Sequence, residues 1–295
     1  MKNVEGKVAF ITAGASGIGY GMAQAFMNAG MKVVIADILQ KHLDEVAAAH
    51  PGANNLHLIK LNVADREAMA AAAEETERVF GKVHVLCNNA GVSQRNALDE
   101  ASYEDWDYVM DVGVGGTING LVNFLPKMKA HGEGGHVVTT SSMAGMIPVP
   151  GFAGIYSTAK FAVRGMMDSL RLTMAPHKIG VSVLCPGLVK TRAMTGGEQY
   201  RRAHVEGDVT DDAVAPITGG MEPLEVGERV LKAIHDNEMY IFPHGEFKEE
   251  VAAYFQRMLD AFPTDQDIDP ERRAMEERRA AMTEEARLAA AALDN

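Results

Sequence analysis

Short apolar runs of strand length alternate with amphipathic helical stretches along most of the 295-residue chain. That alternation restricts the fold more than any single residue does. Residues 7–12, 32–37, 55–63, 83–88, 135–142, 180–185 and 239–243 carry the Val, Ile, Leu and Phe content of buried strands. A glycine-studded turn follows the first, then a helix with Ile18, Met22, Ala25, Phe26 and Ala29 on one face, closed by Gly30. Further helices are expected over 41–50 and 65–80, from Ser102, on to about His131, over 157–176 and over 224–237. Asp65 stands in capping position for one of them, and Ser102 with Asp105 three residues on makes a capping-box pattern for another.

Strands that alternate with helices pair in parallel and bury both faces under helices. Right-handed crossovers then give an α/β fold with a doubly wound parallel sheet of the Rossmann type. No internal repeat interrupts the pattern and no linker is visible before Pro263. The expectation is one domain, a catalytic unit over 1–245 with a substrate loop at about 192–221, and a C-terminal helical extension over 246–295. From residue 265 onward the chain is charged and alanine-rich, as a solvated helix would be.

Composition narrows the partners. A net charge of −12 repels phosphate backbones and anionic headgroups, so neither nucleic acid nor membrane is an expected partner. Cys87 and Cys185 each sit in an apolar run, as reduced buried thiols of a cytoplasmic protein do. No Cys/His cluster has metal-ligand spacing, so no metal is expected. The polar first residues do not read as a signal peptide, and no apolar run approaches the length of a membrane span.

The turn after the first strand reads Thr12, Ala13, Gly14, Ala15, Ser16, Gly17, Ile18, Gly19. Glycines there let the backbone approach a pyrophosphate, while the helix N-terminus presents N–H donors and a partial positive charge. The second strand ends at Asp37, 18 residues after Gly19, where a carboxylate accepts hydrogen bonds from ribose hydroxyls and repels a 2′-phosphate. Ile38 follows rather than an arginine, which points to NAD in preference to NADP.

With four more motifs the chain resembles the short-chain dehydrogenase/reductase family. They are Asn88, Asn89, Ala90 and Gly91 after the fourth strand, Ser142 after the fifth, Tyr156 with Lys160 four residues on, and Pro186, Gly187, Val189 and Thr191 after the sixth. The likeness spans about residues 4–245. It implies Tyr156 as general acid/base, Lys160 as the group that lowers its pKa, and Ser142 as donor to the substrate oxygen. It implies cofactor contacts at Gly14, Ser16, Gly17, Ile18, Gly19, Asp37, Asn62, Val63, Asn89, Ala90, Gly91, Tyr156, Lys160, Pro186, Gly187, Val189 and Thr191. The helical spacing puts Tyr156 and Lys160 on one face. An ammonium at about 4 Å contributes on the order of 4 kcal/mol, roughly three pKa units on a phenol. Ser141 is a neighbouring alternative, but the family pattern favours the second serine. The resemblance also implies a homodimer or homotetramer, formed through helices beside the fifth and sixth strands.

Four positions depart from the family pattern. Ala13 stands at the usual first glycine, and Asn62 at a usual aspartate. The Ser142 to Tyr156 interval is one residue longer than the commonest spacing. Gly113 replaces an asparagine that organises a helix kink and a water leading to the lysine. The expectation is that a water takes over and activity persists at a reduced rate; the alternative is a catalytically weakened dinucleotide-binding paralogue.

The substrate loops fall at 93–96, 143–154 and 192–221. Gln94 and Arg95 supply polar anchors, while Met143, Met146, Ile147, Val149, Phe152, Ile155 and Met194 suggest a roomy apolar pocket. The long third loop, which includes Tyr200, is a lid candidate. Residues 31–46 and 220–255 resemble bacterial dehydrogenases that act on the benzylic alcohol of lignin-derived β-aryl ethers, which implies a bulky secondary alcohol, aromatic ones included.

Overall fold

The computed structural model describes residues 1–93, 97–149, 151, 153–193, 197–207, 217–264 and 266–293. In chain order the first half runs β1 (Val8–Thr12), α1 (Gly17–Asn28), β2 (Lys32–Asp37), α2 (Gln40–Ala49), β3 (Leu56–Lys60), α3 (Arg66–Phe80), β4 (Val83–Asn88), α4 (Tyr103–Met110) and α5 (Gly116–His131). The second half runs β5 (Gly135–Thr140), α6 (Gly154–Met174), β6 (Ile179–Leu184), α7 (Gly197–Glu206), α8 (Pro223–Asp236), β7 (Tyr240–Ile241), α9 (Lys248–Asp260) and α10 (Pro270–Ala291).

The strands form one seven-stranded sheet in the order β3-β2-β1-β4-β5-β6-β7, with every recorded pairing parallel. Strand side chains point alternately to the two faces, and each face has its own core. Phe10, Val34, Leu86 and Val137 meet Phe124 and Met128 on one side, with the Phe10 and Phe124 rings 4.4 Å apart. Ile11, Val33, Ile35, Val85 and Val138 meet Met22, Phe26, Val226 and Val230 on the other. On that second face α1 and α8 touch backbone to backbone: a Cβ on Gly21 would lie 2.0 Å from the Pro223 carbonyl oxygen. The doubly wound α/β fold read from the sequence is the fold observed.

Local signals behave as their chemistry requires. Asp65 caps α3 by accepting from the Ala68 N–H at 2.9 Å. Ser102 and Asp105 form a reciprocal capping box at the start of α4. Between α4 and α5 the backbone makes one π-helical turn, Asp111–Gly115, a device that often marks functional sites. Because the strands are parallel, their carboxyl ends share one edge, and the candidate site lies there.

Two details differ from the sequence reading. The third strand is shorter than 55–63, because residues beyond Lys60 leave the ladder to line the cavity described below. The segment expected as loop over 192–221 contains α7. The C-terminal helical extension of the single domain is present as expected, and Phe247, Val251 and Phe255 pack against the same apolar cluster as Ile155 and Met167. Only the end of α10 is anchored, through Ala290, whose carbonyl accepts from Asn237 Nδ2 at 2.8 Å. No helix among the described residues is long and apolar enough to cross a membrane.

Candidate active site

A cavity of about 490 Å³ opens along the carboxyl edge of the sheet, within the usual size range of small-molecule sites. Ser16, Gly17, Ile18, Asp37, Asn62, Val63, Asn89, Ala90, Gly91, Ser142, Tyr156, Lys160, Pro186, Gly187, Val189 and Thr191 all line it. The sequence motifs thus converge on one space, although they are scattered over more than half of the chain. Gly14 and Gly19 sit behind the lining. The Gly14 N–H donates to the Ala36 carbonyl at 3.1 Å, closing the turn onto β2. A Cβ on Gly19 would lie 2.1 Å from the Ala13 carbonyl oxygen and 2.7 Å from Asn89 Nδ2, so only glycine fits where α1 leaves the turn.

Asn89 ties this edge together. Its Nδ2 donates to the carbonyls of Thr12 and Ala13 at 3.1 and 3.3 Å, and its Oδ1 accepts from Thr140 Oγ1 at 3.0 Å. Thr12 Oγ1 accepts from the N–H groups of Asn89 and Ala90 at 2.9 and 3.0 Å. The ends of β1, β4 and β5 are therefore locked at a fixed separation. Thr12 opens the glycine-turn motif, whereas Thr140 carried no motif signal in the sequence.

The residues suit a dinucleotide. At α1, Ser16 makes no side-chain cap and the first turn holds no acidic residue, which leaves its N–H donors and partial positive charge for an anion. Gly17 has φ +50°, in the left-handed region that favours glycine, and brings the backbone against Thr191. Asp37 is buried, with Oδ2 accepting from the Ala15 N–H at 3.2 Å and Oδ1 from the Leu39 N–H at 3.1 Å. Burial raises its pKa, against the lowering by these hydrogen bonds and by His42. His42 Nδ1 stands 4.0 Å from Asp37 Oδ1, and Arg192 Nη1 lies 3.1 Å from His42 Nε2.

At the other end of the cavity, Lys160 Nζ donates to the Thr140 carbonyl at 2.8 Å and stands 5.4 Å from the centre of the Tyr156 ring. Burial lowers the Lys160 amine to about 8. Burial raises the Tyr156 phenol, and a hydrogen bond with Ser142 pulls it partly back. The ammonium four residues on would, by itself, bring a phenol near neutrality. In the protein alone desolvation dominates, and Lys160 directs a hydrogen bond at a backbone carbonyl. Ser142 Oγ accepts from the Ala144 N–H at 3.1 Å and lines the cavity. Ser141 is buried, and its Oγ donates to the Lys160 carbonyl at 2.8 Å. It supports the α6 backbone through this bond, although it too borders the cavity.

The departures find physical explanations. Ala13 adopts φ +48°, the conformation a glycine takes without strain. Asn62 holds its own loop, with Oδ1 accepting from the Ala64 N–H at 3.1 Å. Gly113 lies within the π-helical turn, and its carbonyl accepts from Thr117 Oγ1 at 2.8 Å. The π-helical turn therefore forms without an asparagine side chain. The longer interval before Tyr156 includes positions 150 and 152, outside the described residues, as are Gln94, Arg95 and Met194.

Two residues beyond the last strand also belong to the site. His244 Nδ1 accepts from the Gly187 N–H and its Nε2 donates to the Leu188 carbonyl, each at 3.0 Å. Phe247 lines the cavity, and a Cβ on Gly187 would lie 2.6 Å from its ring. The cysteines are free and buried, and burial raises both thiols, Cys185 to about 12. Among the described residues no group of His, Cys, Asp or Glu could hold a metal ion.

A parallel sheet with a glycine turn at its first strand and one continuous cavity along its carboxyl edge defines a Rossmann-type dinucleotide fold. The sequence matches the family model of the short chain dehydrogenases over residues 7–201, and the chain belongs to that family. It is 36% identical over 286 residues to a C alpha-dehydrogenase of Sphingobium sp. strain SYK-6, covering 94% of this chain and 93% of the relative. Its structure is similar to LigO of the same strain in the apo form, with TM-score 0.77, 39% identity and 96% and 98% of the two chains covered. It is also similar to a short chain dehydrogenase/reductase from Burkholderia phymatum in complex with NAD, with TM-score 0.75, 29% identity and 91% and 100% covered.

Proposed function

We propose that this oxidoreductase transfers a hydride between NAD and the carbon of a bulky secondary alcohol or ketone, aromatic ones included. The observation that carries the reading is the single cavity that joins the glycine turn and Asp37 at one end to Ser142, Tyr156 and Lys160 at the other. The NAD-bound relative and the C alpha-dehydrogenase support the cofactor and the substrate class by analogy. NAD is favoured over NADP because the buried Asp37 carboxylate would meet a 2′-phosphate.

The backbone at Gly17 and the α1 N-terminus hold the pyrophosphate, and Asp37 accepts from the ribose hydroxyls. Ser142 donates a hydrogen bond to the reacting oxygen. Tyr156, which burial holds as the phenol in the protein alone, delivers its proton to that oxygen in the reducing direction and is left as the phenolate; in the oxidising direction the phenolate takes the alcohol proton and returns to the phenol. Lys160 anchors to Thr140 through one N–H and directs the others into the site. The dinucleotide, when bound, supplies the hydride donor or acceptor and, oxidised, a positive ring that favours the phenolate. Met143, Val149 and Phe247 give the wall around the reacting carbon its apolar character. Ile118 and Val122 are exposed on α5, and together with α6 they suit the interface of a homodimer or homotetramer. Two unpaired buried thiols suit a cytoplasmic setting.

The test is absorbance of reduced nicotinamide on mixing the protein with NAD or NADP and a panel of benzylic, alicyclic and aliphatic secondary alcohols. Turnover with NAD that disappears in Tyr156→Phe is the expected result. Tight NADH binding without turnover of any alcohol or matching ketone would favour the weakened paralogue that Gly113 raises, and would refute the catalytic reading.

A further inference from the structure

The helix α7 is polar in sequence and follows β6, yet its inward face reaches the opposite half of the cavity. Tyr200, Arg201, Ala203 and His204 turn inward, while Glu198, Arg202, Val205 and Glu206 are exposed. The Tyr200 ring packs edge-on against His42, with centres 6.3 Å apart. His204 Nδ1 lies 3.4 Å from Asn62 Nδ2, and its ring centre is 5.3 Å from that of Tyr108. Arg201 pairs with Asp105 at 2.9 Å and covers the Tyr108 ring at 5.8 Å. Asp105 uses its other oxygen in the α4 capping box, so the latch rests on a rigid helix end.

These contacts lie at the carboxyl ends of β2 and β3. In the sheet order, β2 stands three strand spacings from β5, which leads to Ser142, or about 14 Å at the usual interstrand distance. That is the adenosine end of a dinucleotide whose nicotinamide meets Tyr156. Tyr200 and His204 line the cavity beside Asp37, Ile38, Leu61 and Asn62. Aromatic faces stack on purines and an imidazole can hydrogen-bond to their ring nitrogens and amino group.

We propose that α7 forms the outer wall of the adenosine half of the cofactor site, with Tyr200 and His204 touching the adenine nucleoside and the Arg201–Asp105 pair holding the wall in place. Its residues set affinity for the cofactor, and the alcohol is enclosed elsewhere, by Met143, Val149 and Phe247. The inference rests on the dinucleotide reading above. His42 acts as a positioning residue, because it bridges Tyr200 to the carboxylate of Asp37.

The experiment measures dissociation constants of NADH, ADP-ribose and reduced nicotinamide mononucleotide, by fluorescence and calorimetry, for the wild type, Tyr200→Ala, Tyr200→Phe, His204→Ala, Arg201→Met and the surface control Arg202→Ala. Tyr200→Ala and His204→Ala should weaken NADH and ADP-ribose about tenfold, equal to about 1.4 kcal/mol. The mononucleotide and the alcohol KM should stay unchanged, Tyr200→Phe should retain most of the affinity, and Arg202→Ala should match the wild type. A raised alcohol KM with unchanged ADP-ribose affinity would make α7 a substrate cover and overturn the proposal. Unchanged affinity for all three ligands would overturn it as well. A wild type that binds neither NADH nor ADP-ribose would instead overturn the dinucleotide reading beneath it, and melting curves of the variants separate lost contacts from lost folding.

Discussion

Adding one methyl group at each of three glycines in and after the π-helical turn tests whether Gly113 is a defect or a tolerated substitution. An ideal Cβ on Gly113 meets only the Ala159 Cβ, at 3.5 Å, an ordinary contact. On Gly116 it would lie 2.6 Å from Val63 Cγ2, and on Gly120 it would lie 2.1 Å from Asn88 Oδ1. Replacing glycine by alanine inside a helix stabilises it by about 1 kcal/mol, and overpacking a filled site costs about 1–3 kcal/mol. Gly113→Ala should therefore gain up to about 1 kcal/mol, while Gly116→Ala and Gly120→Ala should lose about 1–2 kcal/mol each. For a chain of this length 1 kcal/mol moves Tm by about 2 °C, so a thermal melt separates the first variant from the other two. Gly116→Ala also pushes on Val63, which lines the cavity, and should weaken NADH binding; Gly113→Ala should not. The π-helical turn already forms without an asparagine, so Gly113→Asn should change turnover by less than about threefold, under 1 kcal/mol of barrier. A Tm for Gly113→Ala as low as that for Gly120→Ala would refute the packing argument. A tenfold or larger gain in kcat for Gly113→Asn would show that the missing amide limits the proton relay.

Other perturbations give equally direct readings. Ala13→Gly relieves a left-handed alanine worth about 1–2 kcal/mol; part of that is offset by the freer unfolded chain, leaving a net gain of up to about 1 kcal/mol in a denaturant titration, and a net loss would sink the strain argument. Asp37→Ser should raise kcat/KM for NADP relative to NAD by about tenfold, roughly 1.4 kcal/mol of barrier, and an unchanged ratio would mean that Asp37 does not select the cofactor. Burial pushes His136 down to about 3, so between that value and the ordinary His range the unfolded chain binds the extra proton and stability falls as pH falls. The loss should reach about 2 kcal/mol at pH 5 relative to neutral pH, and a His136→Asn protein with the same acid sensitivity would contradict it.

What the sequence made legible is what the local chain dictates. The glycine turn, Asp37 at the end of β2, the capping box at Ser102 and the Tyr156/Lys160 pair each depend on neighbours within one turn or strand, and all were found where their spacing put them. What was hidden arrives from far along the chain or from backbone geometry. The sequence of α7, Gly197–Glu206, carries little apolar signal because its inward face rests on Tyr108, His42 and Asn62 rather than on a hydrophobic core. His244 and Phe247 lie nearly sixty residues beyond the Gly187 turn they support, so no spacing rule links them. The pKa of Tyr156 could not be judged from the lysine four residues on, because burial outweighs that partner and the amine's hydrogen bond goes to Thr140.

This division has a consequence for specificity. On the function proposed above, the locally encoded residues are those that would hold a pyrophosphate and move a proton, tasks common to every alcohol such a site would oxidise. The long-range residues that line the cavity stand in its walls: Tyr200 and His204 from α7 and Phe247 from beyond β7, beside Met143 and Val149 of the loop after β5. A wall assembled from α7 and from the segment after β7 can be reshaped without disturbing β1, β4 and β5, whose ends are tied by Asn89 through hydrogen bonds of their own. Variants in Phe247 should therefore redistribute kcat/KM among alcohols of different bulk with the affinity for NADH unchanged. A loss of NADH affinity in Phe247→Ala as large as its effect on the alcohols would mean that the Gly187 turn depends on this ring, and that the two halves of the site are not separable.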